Sequence, residues 1–140
     1  MSHLLDASVI TRVSHAKPAV LIALEELRRD LGGAKIARCT MTDLEYGFSA
    51  ENERQWDIRA ADLSVYQPVE VAATDFSLAL GLQRDLAKAG LAKRKVPDLI
   101  IAAVAISHGL TLVHYDADFE FIASVSGLKH QWIVDRGSTD

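Results

Sequence analysis

Every residue in the segment 99–106 is apolar. Pro97 suits the first turn of a helix and Gly109 suits a helix stop, so the pattern predicts a helix over residues 97–108. A surface helix keeps one face in water, but a helix apolar nearly all round has no face to spare. It has to lie between a sheet and other helices, which already demands a layered domain. The run is too short for a membrane span, which takes roughly 18 apolar residues or more.

The rest of the chain supplies the sheet and the other helices. Residues 3–5 form a short apolar run ending at Asp6 and read as a strand. Val20, Leu24, Leu27 and Leu31 recur at helical spacing, with Pro18 at the start and Gly32-Gly33 at the end, so a helix is predicted over 18–31. Residues 35–39 read as a second strand, and Thr42-Asp43-Leu44-Glu45 as a helix start. A polar helix follows over 51–66, then a short strand over 69–72 and a helix over 74–89 that stops at Gly90. Residues 110–114 form a third clear strand, 119–124 a short helix and 131–134 a last strand. Strands alternating with helices predict an α/β fold with a mainly parallel sheet and helices on both faces. The 140 residues suit one domain spanning 1–140.

Composition narrows the function. The formal net charge of −4 argues against a protein that coats nucleic acid through a basic surface. It is compatible with an enzyme that spends acids on holding cations. A single cysteine, Cys39, permits neither an intrachain disulfide nor a cysteine metal site. Asp6 interrupts the apolar opening and no basic leader precedes it, so the start does not read as a signal peptide. A cytoplasmic location is expected, with no membrane partner.

In a parallel sheet, ligands bind beyond the carboxyl ends of the strands, where the following helices begin. Acids fall at four such places. Asp6 ends the first strand, Glu45 lies in the first turn of the helix after the second, Asp98 opens the apolar helix, and Asp116 follows the strand ending at His114. Asp118, two residues on, can join them. Carboxylates gathered at one rim repel unless a cation sits among them. Oxygen-only donors favour a hard divalent ion such as Mg²⁺, which suits phosphodiester hydrolysis. The five histidines look scattered, with no ligand spacing for zinc.

Each acid also has a local reading. Glu45 fits a capping box with Thr42, Asp98 complements a helix dipole, and Asp116 and Asp118 fit a turn. Asp6, directly after an apolar strand, is the hardest to explain locally. Ser8 reads as a helix N-cap or a phosphate contact. Lys93, Arg94 and Lys95 form a basic run just before Asp98 and can grip substrate phosphates. Trp56, Trp132 and Cys39 read as core or interface residues.

Taken together, four segments resemble the motifs of the PIN-domain ribonucleases, in particular the VapC toxins of bacterial toxin–antitoxin pairs. They are 3–10 (HLLDASVI) around Asp6, 42–47 (TDLEYG) around Glu45, 96–103 (VPDLIIAA) around Asp98, and 112–122 (LVHYDADFEFI) around Asp116 and Asp118. The order and spacing match over essentially the whole chain. The resemblance implies a three-layer α/β/α sandwich, dependence on Mg²⁺ or Mn²⁺, and endonucleolytic cleavage of RNA, with transfer RNA one candidate substrate. It also implies a homodimer and a cognate VapB-like antitoxin. Asp6, Glu45, Asp98, Asp116 and Asp118 become the catalytic set, the first four of them metal ligands. Two positions depart from the pattern. Ala7 stands where Thr or Ser is common, and His114 where a small hydroxyl residue is common.

Three other readings compete. A DNA nuclease could use the same carboxylates. A phospho-accepting receiver domain is also a small α/β sheet with clustered acids, but it pairs acids near its first strand and places a lysine after a late strand. Here Asp6 is single, and the late strand leads to Asp116-Ala117-Asp118. A non-catalytic binding module is disfavoured by the complete set of acids.

Overall fold

The computed structural model describes residues 1–32 and 36–140. Among the described residues five strands form one sheet: β1 (His3–Leu5), β2 (Ile36–Cys39), β3 (Gln67–Val69), β4 (Thr111–His114) and β5 (His130–Trp132). Their spatial order is β3-β2-β1-β4-β5, and all four neighbouring pairs are parallel. Seven helices among the described residues cover the sheet: α1 (Ala7–Ser14), α2 (Pro18–Asp30), α3 (Thr40–Gly47), α4 (Glu53–Leu63), α5 (Ala73–Lys88), α6 (Val96–Ser107) and α7 (Asp118–Ser124). This is the expected three-layer α/β sandwich. Among the described residues no helix is long and apolar enough to cross a membrane.

The side-chain alternation of the strands builds two cores. Leu4, Ala37 and Leu112 lie in one row and pack towards α5, α6 and α7. Their chain neighbours Leu5, Ile36 and Val113 point the other way, into a second core with Val9, Ile10, Val20 and Leu24 of α1 and α2. The apolar helix behaves as its sequence demands: Asp98 to Ala105 are all buried. Along the apolar part, Leu99 to Ala105, a polar substitution would leave its polar group without water and is costly at every position.

Several boundaries differ from expectation, for identifiable reasons. Only the reading of Ser8 as an N-cap pointed to helix α1, whose range was not predicted. It is eight residues long and buries only Val9 and Ile10, too few turns for a helical period to show. Asp6, not Ser8, is its N-cap, and Asp6 Oδ2 accepts the Ser8 N–H at 3.0 Å. Helix α3 begins at Thr40 with Cys39 as N-cap, so Glu45 stands in the second turn and cannot form the capping box with Thr42. Strand β3 lies earlier than expected and includes Pro68. It is an edge strand, where a residue without an N–H costs no ladder bond on the open side. The last strand is His130–Trp132 rather than 131–134. Lys35 of the expected second strand and Gly33 of the expected helix stop fall outside the described residues. Cys39 is buried as expected, but Trp56 is 55% exposed and Trp132 is half-buried, so neither is core.

Asp75 shows how α5 and α6 are tied. It is 1% exposed. Its Oδ2 accepts the Ala72 N–H at 2.8 Å at the start of α5, and its Oδ1 accepts the Ser107 hydroxyl at 2.6 Å at the far end of α6 from Asp98. Hydrogen bonds to a charged acceptor contribute about 1.5–3 kcal/mol. Asp75→Ala is therefore expected to destabilise the fold by about 2 kcal/mol in urea titration. A loss below about 0.5 kcal/mol would show that the tie between the two helices contributes little.

Candidate active site

The carboxyl edge of β1 is where the strand order reverses, between β2 on one side and β4 on the other. Such a switch point opens a crevice, because the helices leaving neighbouring strands diverge to opposite faces. Asp6 sits there directly. Its backbone N–H continues the ladder to the Val113 carbonyl at 3.0 Å, and its side chain is 4% exposed. One carboxylate oxygen caps α1, and the other, Oδ1, is buried with no hydrogen-bond partner among the described residues. The local and the functional readings of Asp6 thus both hold, on different oxygens.

Three more elements bring acids to the same place. Helix α3 carries Glu45, the first turn of α6 carries Asp98, and the turn from β4 into α7 carries Asp116 and, as the first residue of α7, Asp118. Oxygens of Asp6, Glu45 and Asp98 lie within 4.8 Å of one another, as do those of Asp98, Asp116 and Asp118. All five acids named from the sequence therefore meet, in two groups joined by Asp98. Glu45 Oε1 and Asp98 Oδ2 are buried without a hydrogen-bond partner, like Asp6 Oδ1.

The basic run divides. Lys95 Nζ donates to Asp116 Oδ2 at 2.8 Å and lies 3.7 Å from Asp98 Oδ2. Arg94 Nη1 donates to Asp118 Oδ1 at 3.1 Å, and its guanidinium lies over the Phe121 ring, 4.8 Å from the centroid. Lys93 is exposed and takes part in no such pair among the described residues. Ser8 lies beneath the Asp116 turn, where its Oγ accepts the Tyr115 N–H at 2.9 Å.

Sequence reasoning missed one feature entirely. The histidines are not all scattered: His114 Nε2 lies 2.8 Å from His130 Nδ1, and His114 Nδ1 lies 3.1 Å from the Asp116 N–H. A nitrogen facing an N–H must accept, so Nδ1 of His114 is bare and Nε2 carries the proton donated to His130. His114 is fully buried, and burial followed by the His130 charge lowers its pKa to about 4. It is a neutral prop for the Asp116 turn, not an acid or base open to substrate. No sequence signal could pair residues 16 apart on two different strands.

The electrostatics follow from burial. Burial first, then the Asp6 charge, raises Glu45 to about 7. Burial and Asp6 raise Asp98 to about 8, with Lys95 partly offsetting them. Asp6 is also raised, by burial against the opposing bonds from Ser8. Asp116 goes the other way. Burial pushes it up, but the Lys95 ammonium and the Asp118 N–H outweigh this and hold it below the ordinary carboxylate range. The donor set fits a hard divalent cation. It is oxygen only, it carries excess negative charge, and it includes buried oxygens without a protein partner.

A pH dependence follows. With folded-state values near 7 and 8, Glu45 and Asp98 keep protons that the unfolded chain has already released. Their contribution to stability is complete below a pH of about 4 and is lost as pH rises through 7 to 8. In chelator, the wild-type Tm is expected to fall as pH rises from about 5 to about 8. Asp98→Asn, which has no charge to desolvate, should flatten that fall and melt a few degrees above wild type at the upper end. A wild-type Tm rising across the interval would contradict the reading.

Known proteins show the same frame. The PIN domain family matches residues 3–124, a span holding all five acids. Ribonuclease VapC51 of Mycobacterium tuberculosis is 47% identical over 140 residues, covering 100% of this chain and 98% of its own. Ribonuclease VapC21 of the same species is 39% identical over 140 residues, covering 97% and 96%. VapBC-1 from nontypeable Haemophilus influenzae has a similar fold, with a TM-score of 0.79 at 19% identity over 96% of this chain and 100% of that one. VapBC2 from Rickettsia felis, bound to a DNA fragment from its promoter, gives 0.76 at 19% identity over 94% and 98%. The receiver reading falls away. The acids converge from four segments, and the cation among them comes from the loop before α6 rather than from beyond a late strand. Carboxylates gathered at this switch point, inside a matched span and beside full-length likeness to two such ribonucleases, place the chain in the PIN-domain family and, within it, among the VapC ribonucleases, the toxin halves of type II toxin–antitoxin pairs.

Proposed function

We propose that this chain, acting as one domain over 1–140, is a Mg²⁺-dependent endoribonuclease, with Mn²⁺ able to substitute. One observation carries the reading: Asp6, Glu45 and Asp98 bring carboxylate oxygens within 4.8 Å of one another, and each has a buried oxygen with no hydrogen-bond partner among the described residues. Such an arrangement is costly without a cation and well suited to one. When bound, the cation activates water and neutralises phosphate charge.

The chain's own residues do the rest. Asp6, Glu45 and Asp98 hold the ion, and Asp116 completes the set beside it. Asp118 fixes Arg94 and, through its N–H, the Asp116 side chain. Lys93, Arg94 and Lys95 line the rim and contact substrate phosphates, and Ser8 supports the turn between them and Asp6. Partly hydrated acids that stay ionised at neutral pH, such as Asp116, are suited to orient water. The buried, neutral His114 and its partner His130 are not placed to activate a ribose 2′-hydroxyl.

The same reading includes a cognate VapB-like antitoxin, a cytoplasmic location and RNA, transfer RNA among its candidates, as substrate. The likeness to Ribonuclease VapC51 supports RNA over DNA. A homodimer is supported by Phe76, Leu80 and Val96, which are more than half exposed and line an apolar groove with Leu99 and Ile100. Apolar surface of this kind favours contact with a second copy.

Cleavage of total RNA with and without Mg²⁺ tests the reading. Activity should vanish in chelator, and Asp98→Asn or Asp6→Asn should lose at least a hundredfold while staying folded by circular dichroism. Near wild-type cleavage by both variants would sink the site assignment. A substrate with one 2′-deoxy sugar at the scissile position should still be cut, because water attack does not need that hydroxyl. A 2′,3′-cyclic phosphate product would reject water as the nucleophile, and preferential cutting of an all-deoxy strand would favour the DNA-directed reading.

Neutralising Lys93 and Arg94 should weaken RNA binding and reduce its salt dependence, since each lost phosphate contact removes roughly one unit from the slope. An unchanged slope would place this rim away from the RNA.

A further inference from the structure

The two acidic groups that share Asp98 differ in what already answers their charge. In the first, Asp6 Oδ1, Glu45 Oε1 and Asp98 Oδ2 have no hydrogen-bond partner among the described residues. Asp6 and Asp98 are 4% and 3% exposed, so solvent does not replace the missing partner. In the second group both oxygens of Asp116 and one of Asp118 are taken. Asp116 Oδ1 accepts the Asp118 N–H at 2.9 Å, and Asp116 Oδ2 accepts Lys95 Nζ at 2.8 Å. Asp118 Oδ1 accepts Arg94 Nη1 at 3.1 Å. Two cationic side chains serve the second group, while among the described residues the first is reached only by Lys95, 3.7 Å from the shared Asp98.

These cations are placed by the fold. Lys95 is the residue before α6, and its carbonyl accepts the N–H groups of Asp98 and Leu99 at 3.1 and 3.3 Å. The start of the helix that carries Asp98 therefore also sets where the ammonium can reach. Arg94 is held against Phe121 with 24% of its side chain exposed. Two-cation phosphodiester sites set their ions roughly 3.5–4 Å apart. A second ion at Asp98, Asp116 and Asp118 would have to enter beside an ammonium already in hydrogen-bond contact with Asp116. The repulsion between those charges would not be offset by carboxylates already matched with cations.

We infer that this chain binds a single divalent cation, at Asp6, Glu45 and Asp98, and that the Lys95 ammonium is a fixed positive charge standing in the place of a second ion. The inference rests on the metal-dependent reading above and adds to it the metal count and a positioning role for Lys95. Lys95 fixes Asp116 and presents to the substrate phosphate a charge that chelation cannot remove.

Mn²⁺ alone is the probe, counted by equilibrium dialysis of the full chain without RNA, with free Mn²⁺ read from its electron paramagnetic resonance signal. Wild type should hold one ion per chain. Lys95→Ala removes a side chain that is 63% exposed and leaves the backbone start of α6 in place, so it should fold and hold two ions. Circular dichroism checks the fold of each variant. Asp6→Asn should weaken the wild-type ion at least tenfold. Two or more ions in wild type, or one ion in both wild type and Lys95→Ala, would overturn the inference while leaving metal dependence intact. No ion in wild type at millimolar Mn²⁺ would overturn the metal-dependent reading itself, and this inference with it.

Discussion

The rest of the structure is arranged around one electrostatic problem, the burial of carboxylates at the carboxyl end of β1. Asp6 and Asp98 are almost without solvent, and Glu45 is half-buried beside them. Taking a charge out of water without a partner costs several kcal/mol, a large part of the roughly 5–15 kcal/mol by which a domain is stable. The fold meets that cost in two ways. Burial and mutual repulsion shift Glu45 and Asp98 towards their protonated forms, and the donor set offers a cation the oxygens that no protein group claims.

The layers make this tolerable. A five-stranded sheet flanked by two apolar cores supplies the stability that the acidic rim subtracts. Helix α6 is central to both tasks. Its body, buried to Ala105, is part of the larger core, while its first turn delivers Asp98 to the rim. The tie from Asp75 to Ser107 holds its opposite end. A helix anchored along its length and at its far end presents its first-turn carboxylate with little freedom, as a site built on rigid elements requires.

The Asp116 turn is held by a different means, two local hydrogen bonds within the turn and one to Ser8, a residue far away in sequence. Ser8 accepts from Tyr115 N–H, His114 accepts from Asp116 N–H, and Asp116 accepts from Asp118 N–H. The Asp116 N–H thereby fixes the tautomer of His114, whose Nε2–H is then donated to His130. At position 114 an imidazole presents the acceptor to the Asp116 N–H, so the departure noted in the sequence does not leave that N–H without a partner. Two side-chain cations then complete the balance on this side of the crevice.

Much of this was determined by the sequence alone. The apolar stretch 99–106 required a covered helix, the strand–helix alternation required a parallel sheet, and acids at the strand ends required a common rim, because side-chain periodicity and the direction of parallel strands leave few alternatives. The five acids and the layered architecture were legible for that reason. Only the tertiary structure decided the finer matters. It revealed α1, whose eight residues carry too little period to be seen, and moved Glu45 from a capping position to the second turn of α3. It also divided the acids into a bare group and a matched one, paired His114 with His130, and turned Lys95 and Arg94 from a generic basic run into specific partners of Asp116 and Asp118. Each of these depends on distances between segments remote in the chain. Local pattern carries no information on such distances until packing brings the segments together, and at this rim an ångström or two decides whether an oxygen meets an ammonium or stands free for a metal.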